Sequence, residues 1–175
     1  MGRTTHSGPV RSLAGLYEAG YNSIFRVVVG DNTLALTAAD HGGRIITVLD
    51  PTMIFTVPEI VVTEPRDKTD PGQVCNLGLT FRFLQTVDAA AGTAINLSGS
   101  DKFIGSIMGI DTDTSDATLA WAAAAGDNFV SIDYNGGTLG GLIGTYTEIT
   151  AVASAQWLVS GQNLQSGVVA TPFVA

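Results

Sequence analysis

Short runs of alternating apolar and polar residues constrain the fold of this chain more than any other feature of its sequence. In the clearest run, LGLTFRFLQT (77–86), Phe81 and Phe83 share one face and Arg82 lies on the other. A two-residue period is the pattern of a β-strand that buries one face against a core. It does not produce the apolar stripe of an amphipathic helix. The segment is therefore predicted to be a half-buried strand.

Similar runs recur roughly every 8–12 residues between glycine-rich turns, which is typical of sandwiches and barrels. We predict an all-β fold: a single antiparallel β-sandwich or barrel-like domain. Only two places could be helical: 12–20, with one short turn at best, and ATLAWAAAAG (117–126), which has the composition for two turns but lies between turn signals. The segment 59–62 is expected to continue the edge formed by 53–57. The other predicted strands are 24–29, 33–37, 44–49, 93–99, 102–110, 129–137 with a glycine-rich return at 139–144, and a hairpin over 145–161.

The composition indicates an ordered domain with few charges for its surface. The chain has 175 residues, enough to bury roughly 70% of its unfolded surface in one core. Hydrophobic residues make up 45% and charged residues only 14%, where about a quarter is usual. We therefore expect other subunits or a partner to cover part of the uncharged surface.

Charge is distributed unevenly along the chain. The net charge of −8 argues against nucleic-acid binding. Residues 1–22, by contrast, carry Arg3 and Arg11 against a single acid, Glu18. We predict that residues 1–22 form an extended arm and residues 23–175 the β-domain. A basic arm on an acidic body suits docking to an acidic protein surface. A solvated tail with two chance arginines is the alternative interpretation.

The sequence carries no motif that points to catalysis. It lacks a G-x-S-x-G elbow, an H-E-x-x-H helix and a phosphate-binding loop. His41 follows Asp40 and precedes two glycines, so we interpret it as part of a turn. Cys75 is the single cysteine, and we interpret it as a small buried hydrophobe. We predict no enzyme activity, no catalytic residue and no cofactor.

One acidic stretch, DTDTSD (111–116), has alternating oxygen ligands that could begin a calcium loop. The glycine expected at the sixth position is Asp116, however, and the glutamate expected at the twelfth is Ala122. A solvated loop is therefore expected, with no metal site. No signal peptide or long apolar stretch is found, so we expect a soluble protein made in a reducing cytoplasm, without membrane association.

Several segments together resemble a β-domain of tailed-bacteriophage virion proteins. They are LTAADHGGRIITV, GLTFRFLQT, GTAINLSGSDKFIGSI, AAAAGDNFVSIDYNGG and TYTEITAVASAQWLVSG. That domain has an LTAADSG-like turn, a GD before a core strand, and a late W-x-V-x-G. The opening RTTHSGPVRSLAGL is similar to the N-terminus of small phage capsid decoration (cement) proteins. The resemblance covers residues 3–161 and excludes the loop 63–73.

The resemblance implies a non-enzymatic protein on the outer capsid surface of a virion, made in the host bacterial cytoplasm. Such proteins commonly form homotrimers at local three-fold positions and clamp neighbouring subunits of the major capsid protein. The arm would then lie extended across the capsid lattice, where it could add to an exposed strand edge. Its expected capsid contacts are Arg3, Arg11, Leu13, Leu16 and Tyr17.

Two other functions stay open on the sequence alone. A head-fibre or tail-associated module would bind host glycan or protein through a cleft of exposed aromatics, for which Trp121, Tyr134 and Tyr146 are the candidates. A glycan-active or metal-dependent enzyme would bind its metal at Asp111 and Asp113. We assign Trp157, Phe81 and Phe83 to the core rather than to any site.

Overall fold

The computed structural model describes residues 24–27, 32–62, 75–113, 118–124 and 126–175. They form two packed β-sheets with one short helix, which confirms the predicted all-β sandwich. The predicted arm, residues 1–22, lies outside the described residues, as does the loop 63–73. The elements in chain order are β1 (Ile24–Val27), β2 (Thr33–Ala35), α1 (Ala38–His41), β3 (Ile45–Val48), β4 (Ile54–Val57), β5 (Thr80–Gln85), β6 (Thr93–Leu97), β7 (Lys102–Asp111), β8 (Leu119–Ala123), β9 (Ser131–Tyr134), β10 (Tyr146–Ala153), β11 (Gln156–Gln165) and β12 (Phe173–Val174).

The two sheets differ in size and both are mixed. The larger has seven strands in the order β1-β3-β5-β10-β11-β7-β8, and the smaller has five in the order β12-β9-β6-β4-β2. Strands β3 and β5 are parallel, as are β7 and β11, whereas β5 and β10 are antiparallel. The sandwich is therefore not purely antiparallel, in contrast to the expectation from sequence.

The first six strands alternate between the sheets. Strands β1, β3 and β5 lie side by side in the larger sheet, and β2, β4 and β6 do so in the smaller. All four of these neighbouring pairs are parallel. The chain thus winds as a flattened coil in which each turn adds one strand to each sheet. Successive turns place apolar residues side by side, as with Ile46 beside Phe83 and Phe55 beside Ile95.

The predicted hairpin completes the larger sheet. Strands β10 and β11 pair antiparallel around Ser154 and Ala155, which confirms the turn expected there. Strand β10 also pairs with β5, and β11 pairs in parallel with β7. The hairpin therefore joins the coiled first half of the chain to the β7–β8 pair.

The core lies between the sheets and includes the residues assigned to it from sequence. Trp157 and Phe81 are fully buried and their rings lie 5.9 Å apart. The indole Nε1 of Trp157 donates to Oδ2 of the buried Asp101 at 3.0 Å. The same oxygen accepts the backbone N–H of Ile60 at 2.8 Å. One carboxylate thus fixes both the central strand β11 and the segment after β4.

Two segments that were predicted to be strands, 59–62 and 139–144, do not form strands in the structure, so both predictions were wrong. At 59–62, Ile60 N–H bonds Asp101 and Val61 N–H bonds Oδ1 of Asn76, so side chains replace a neighbouring strand. At 139–144, three glycines have positive φ, which interrupts an extended strand.

The helical interpretation of 117–126 was wrong as well. The alanine-rich segment forms strand β8, which pairs antiparallel with β7 over five residues. Alanine has a high intrinsic helix propensity, but tertiary pairing overrides such a weak preference in a short segment. The helix that does occur, α1, was expected to be a turn.

Candidate interaction surface

The outer face of the seven-stranded sheet is the candidate functional surface. Its side chains come from alternate residues of each strand, because a strand points successive residues to opposite faces. On β7, Phe103 and Ile107 are buried in the core, whereas Met108 is 51% exposed. Leu158 of β11 is 42% exposed on the same face.

An ion pair lies near the middle of this face. Arg82 Nε donates to Oε2 of Glu148 across the β5–β10 pair at 2.7 Å. Tyr146 donates its hydroxyl to the same carboxylate oxygen at 3.1 Å. The Arg82 hydrogen bond lowers the pKa of Glu148, and burial is the main cause that raises the pKa of Tyr146. The two charges cancel, so this part of the face carries no net charge.

Beside the ion pair, three adjacent strands form what we call the neutral strip. Apart from Lys102 at the start of β7, whose Nζ donates to Oδ1 of Asn128, the outward residues that align across β11, β7 and β8 carry no charge. The strip consists of Leu158, Ser160 and Gln162 on β11, Ile104, Ser106 and Met108 on β7, and Ala120 and Ala122 on β8. In a chain of net charge −8, this surface offers a protein partner uncharged side chains without like-charge repulsion.

A glycine-rich loop, residues 135–144, packs against one end of the larger sheet and is held by buried polar side chains. Asn163, fully buried, accepts the N–H of Gly141 and donates to the carbonyl of Leu139, both at 2.9 Å. Gln165, also fully buried, donates to the carbonyls of Thr138 and Ala170 at 2.8 Å. These buried amides serve to fix the loop, so their polarity has a structural explanation.

The arm residues predicted to contact a capsid, Arg3, Arg11, Leu13, Leu16 and Tyr17, lie outside the described residues. Their role stays a prediction. The structure does describe the three aromatics proposed for a glycan-binding cleft. Tyr134 is buried on the smaller sheet with its hydroxyl bonded to Thr147 at 2.6 Å. Tyr146 lies on the outer face of the larger sheet.

Trp121, the third aromatic, is half-buried, packs against the core and donates Nε1 to Gln165 at 3.3 Å. The three rings therefore do not meet in one exposed cleft, because Tyr134 and Trp121 face the core between the sheets, whereas Tyr146 lies on the outer face. Sequence periodicity within one strand could not reveal this, since it depends on how separate strands are arranged in the two sheets.

Asp111 and Asp113 of the acidic stretch accept backbone hydrogen bonds. Asp111 accepts the N–H of Asp113 at 2.9 Å, and Asp113 accepts the N–H of Gly167 at 2.7 Å. In the described parts of the chain, no three His, Cys, Asp or Glu side chains are grouped so as to hold a metal ion.

The His41–Asp40 pair belongs to the ends of α1. Thr37 caps the helix by accepting the N–H of Asp40 at 3.1 Å, and its own N–H donates to Nδ1 of His41 at 2.9 Å. Burial lowers the pKa of His41. Its interpretation as a local structural pair is confirmed. Cys75 is half-buried rather than fully buried.

Comparisons with known proteins give this arrangement no counterpart: no protein-family model, no curated protein and no solved structure matches the chain. Within the described residues, no helix is long and apolar enough to cross a membrane.

Proposed function

We propose that this protein is a structural component of a phage virion that binds the outer surface of the capsid. It stabilises the mature head by clamping neighbouring subunits of the major capsid protein. The observation that best supports this proposal is the neutral strip, an uncharged surface three strands wide on a chain of net charge −8. The resemblance of residues 3–161 to virion β-domains supplies the identity of the partner.

In this proposal the body and the arm contribute separately. The neutral strip gives the β-domain a surface that docks without repulsion, and the basic arm pairs with capsid acids through Arg3 and Arg11. Homotrimers would present three arms at once. Each contact can then be weak, because linkage raises the effective concentration of the others. Binding only to the mature lattice would stabilise that lattice by mass action.

The test is co-sedimentation of the purified protein with undecorated mature heads. We expect the full chain to sediment in near-stoichiometric amounts, and a chain lacking residues 2–17 to lose most of this binding. The double variant M108K/L158K places two unpaired charges on the neutral strip, so its affinity should fall at least about tenfold. Val168→Lys is the matched control, because Val168 is 84% exposed and lies outside that strip.

Each outcome separates one part of the proposal from another. Loss of binding in the M108K/L158K chain alone would assign docking to the sheet and remove the arm from the mechanism. If the full chain does not sediment with the heads, the capsid proposal fails.

A further inference from the structure

We propose that two copies of this chain pair edge to edge through β8, in antiparallel register, to form one continuous sheet. This inference concerns self-association and does not depend on the capsid as partner. It rests on three observations: among the described residues no strand pairs with the outer edge of β8, the strand itself carries no charge, and alanines flank Trp121 on both sides.

The direction of the backbone groups on β8 follows from its neighbour. In β7 and just beyond it, Lys102 N–H bonds the carbonyl of Ala155 and Thr112 N–H bonds that of Gln165, so even-numbered residues face β11. Odd-numbered residues of β7 therefore face β8, because N–H and C=O groups alternate sides along a strand. Gly105, Ile107 and Gly109 pair with Ala123, Trp121 and Leu119. The backbone groups of Ala120 and Ala122 consequently point away from the sheet.

An independent contact supports this direction. Ala124, the next even-numbered residue, has its N–H bonded to Oδ2 of Asp127 at 2.8 Å and its C=O bonded to Asp127 N–H at 2.9 Å. Both groups of Ala124 thus face away from β7 and are satisfied locally. Within the described residues, no strand pairs with the outer side of Ala120 and Ala122.

The edge lacks the features that usually prevent pairing. Natural sheets protect their edges with very short strands, with lysine or proline, or with bulges. Strand β8 reads LAWAA, without charge, proline or glycine, and pairs with β7 without a register shift. The other three edge strands, β1, β2 and β12, contain four, three and two residues, against five in β8. Of the four edges in the described structure, β8 is therefore the least protected.

A second copy fits this edge because alanines, Ala120 and Ala122, flank Trp121 on both sides. With the two-fold axis at Trp121, Ala120 of one copy faces Ala122 of the other. Each of these facing pairs exchanges two backbone hydrogen bonds in antiparallel geometry. The side chains of Ala120 and Ala122 lie exposed on the outer face, where they add neither bulk nor charge. The strand itself carries no charge, and the pairing ends before Ala124, whose N–H already binds the Asp127 carboxylate.

The contact is small and therefore weak on its own, since stable interfaces usually bury about 1,200–2,000 Å². A two-fold contact is isologous and closes after two copies. It is also compatible with three-fold assemblies, because neighbouring trimers can meet across a two-fold axis.

The test measures the mass of the full chain by sedimentation between about 1 µM and about 500 µM, a range that covers weak association. We expect A120K/A122K and A120E/A122E each to show a lower weight-average mass than the wild type at the highest concentration, by a factor that approaches two when the wild type is fully paired. Lysines or glutamates would then face each other directly across the two-fold axis, which is destabilising. An equimolar mixture of the two variants should recover the wild-type mass, since opposite charges would face each other.

The control A120S/A122S keeps the edge small and uncharged, and its mass should equal that of the wild type. A wild-type chain that stays monomeric throughout would overturn the proposal. So would an assembly whose mass in both charged variants equals that of the wild type, because it would use another surface. Charged variants that lose capsid binding at unchanged mass would also overturn the proposal, because Ala120 and Ala122 would then act only as part of the neutral strip.

Discussion

The hydrogen bond between Trp157 and Asp101 should contribute more to stability than any other indole contact in the described structure. Both residues are buried, and the acceptor is a carboxylate that also binds the N–H of Ile60. The substitution Trp157→Phe removes the donor and keeps an aromatic ring. It leaves the carboxylate with one partner fewer in a water-poor site, where such a loss is costly.

The expected magnitude follows from two contributions. A hydrogen bond to a charged group contributes about 1.5–3 kcal/mol. The smaller phenyl ring leaves a void beside Phe81, which costs about 1 kcal/mol more. The free energy of unfolding should therefore fall by about 3 kcal/mol, and the Tm by about 10 °C for a chain of this length.

The matched control is Trp121→Phe, the same substitution in a half-buried indole with a neutral acceptor, Gln165, at 3.3 Å. It should cost about 1 kcal/mol. Chemical denaturation of Trp157→Phe, of Asp101→Asn and of the variant that combines them gives the coupling energy of the buried pair, expected to exceed about 1 kcal/mol. A coupling near zero, or equal losses in the two tryptophan variants, would refute the reasoning.

Two further stability predictions follow from the structure. Gly136 and Gly78 both have positive φ, but an added Cβ would lie 2.1 Å from the carbonyl oxygen of Ala89 at Gly136 and would meet nothing within 4 Å at Gly78. Gly78→Ala should therefore lower the free energy of unfolding by about 1 kcal/mol through backbone strain, and Gly136→Ala by at least twice that. Thermal denaturation of the two variants measures the difference. Equal losses would show that the loop 135–144 relaxes around the new methyl group. The lowered pKa of Glu148 means that its pair with Arg82 stabilises the fold above the unfolded-state pKa, near 4.5, and that this contribution is lost as the pH falls through the lower folded-state value. Because both side chains are partly exposed, Glu148→Gln should lower the free energy of unfolding by only about 0.5 kcal/mol at pH 7 and should leave it unchanged near pH 3. A Tm difference from wild type that is independent of pH would contradict a stabilising ion pair between Arg82 and Glu148.

Sequence patterns predicted the elements whose information is local. The alternation in 77–86 defines β5, and the alternation on both sides of Ser154 and Ala155, interrupted by a register shift between Ala151 and Ala153, defines the β10–β11 hairpin. In both cases the strand period is visible within a few residues. The buried positions of Phe81 and Trp157 follow from the same period.

The arrangement of the strands could not be predicted in this way. Strand β10 pairs with β5, and β11 with β7, although more than forty residues separate each pair along the chain. Periodicity within a strand does not encode such partners. The helical prediction for 117–126 was wrong for a related reason. The alanines of this segment favour helix in isolation, and only pairing with the neighbouring β7 makes it a strand.

The candidate surface depends on this unpredicted arrangement. Each strand of the neutral strip shows outward serine, alanine or apolar residues, which in isolation are unremarkable in a β-protein. Only the alignment of β11, β7 and β8 brings them together into one uncharged surface. The absence of a common aromatic cleft likewise follows from the placement of Tyr134 and Tyr146 on different sheets.

The position of the β10–β11 hairpin between β5 and β7 has a consequence for synthesis on the ribosome. Until the hairpin emerges, the larger sheet consists of two separate parts, β1-β3-β5 and β7-β8, each with an unpaired inner edge. Exposed strand edges promote association with other chains. A nascent chain that stops before Tyr146 would therefore be prone to aggregation, and protection of both edges comes only when the hairpin has been translated and has inserted between them.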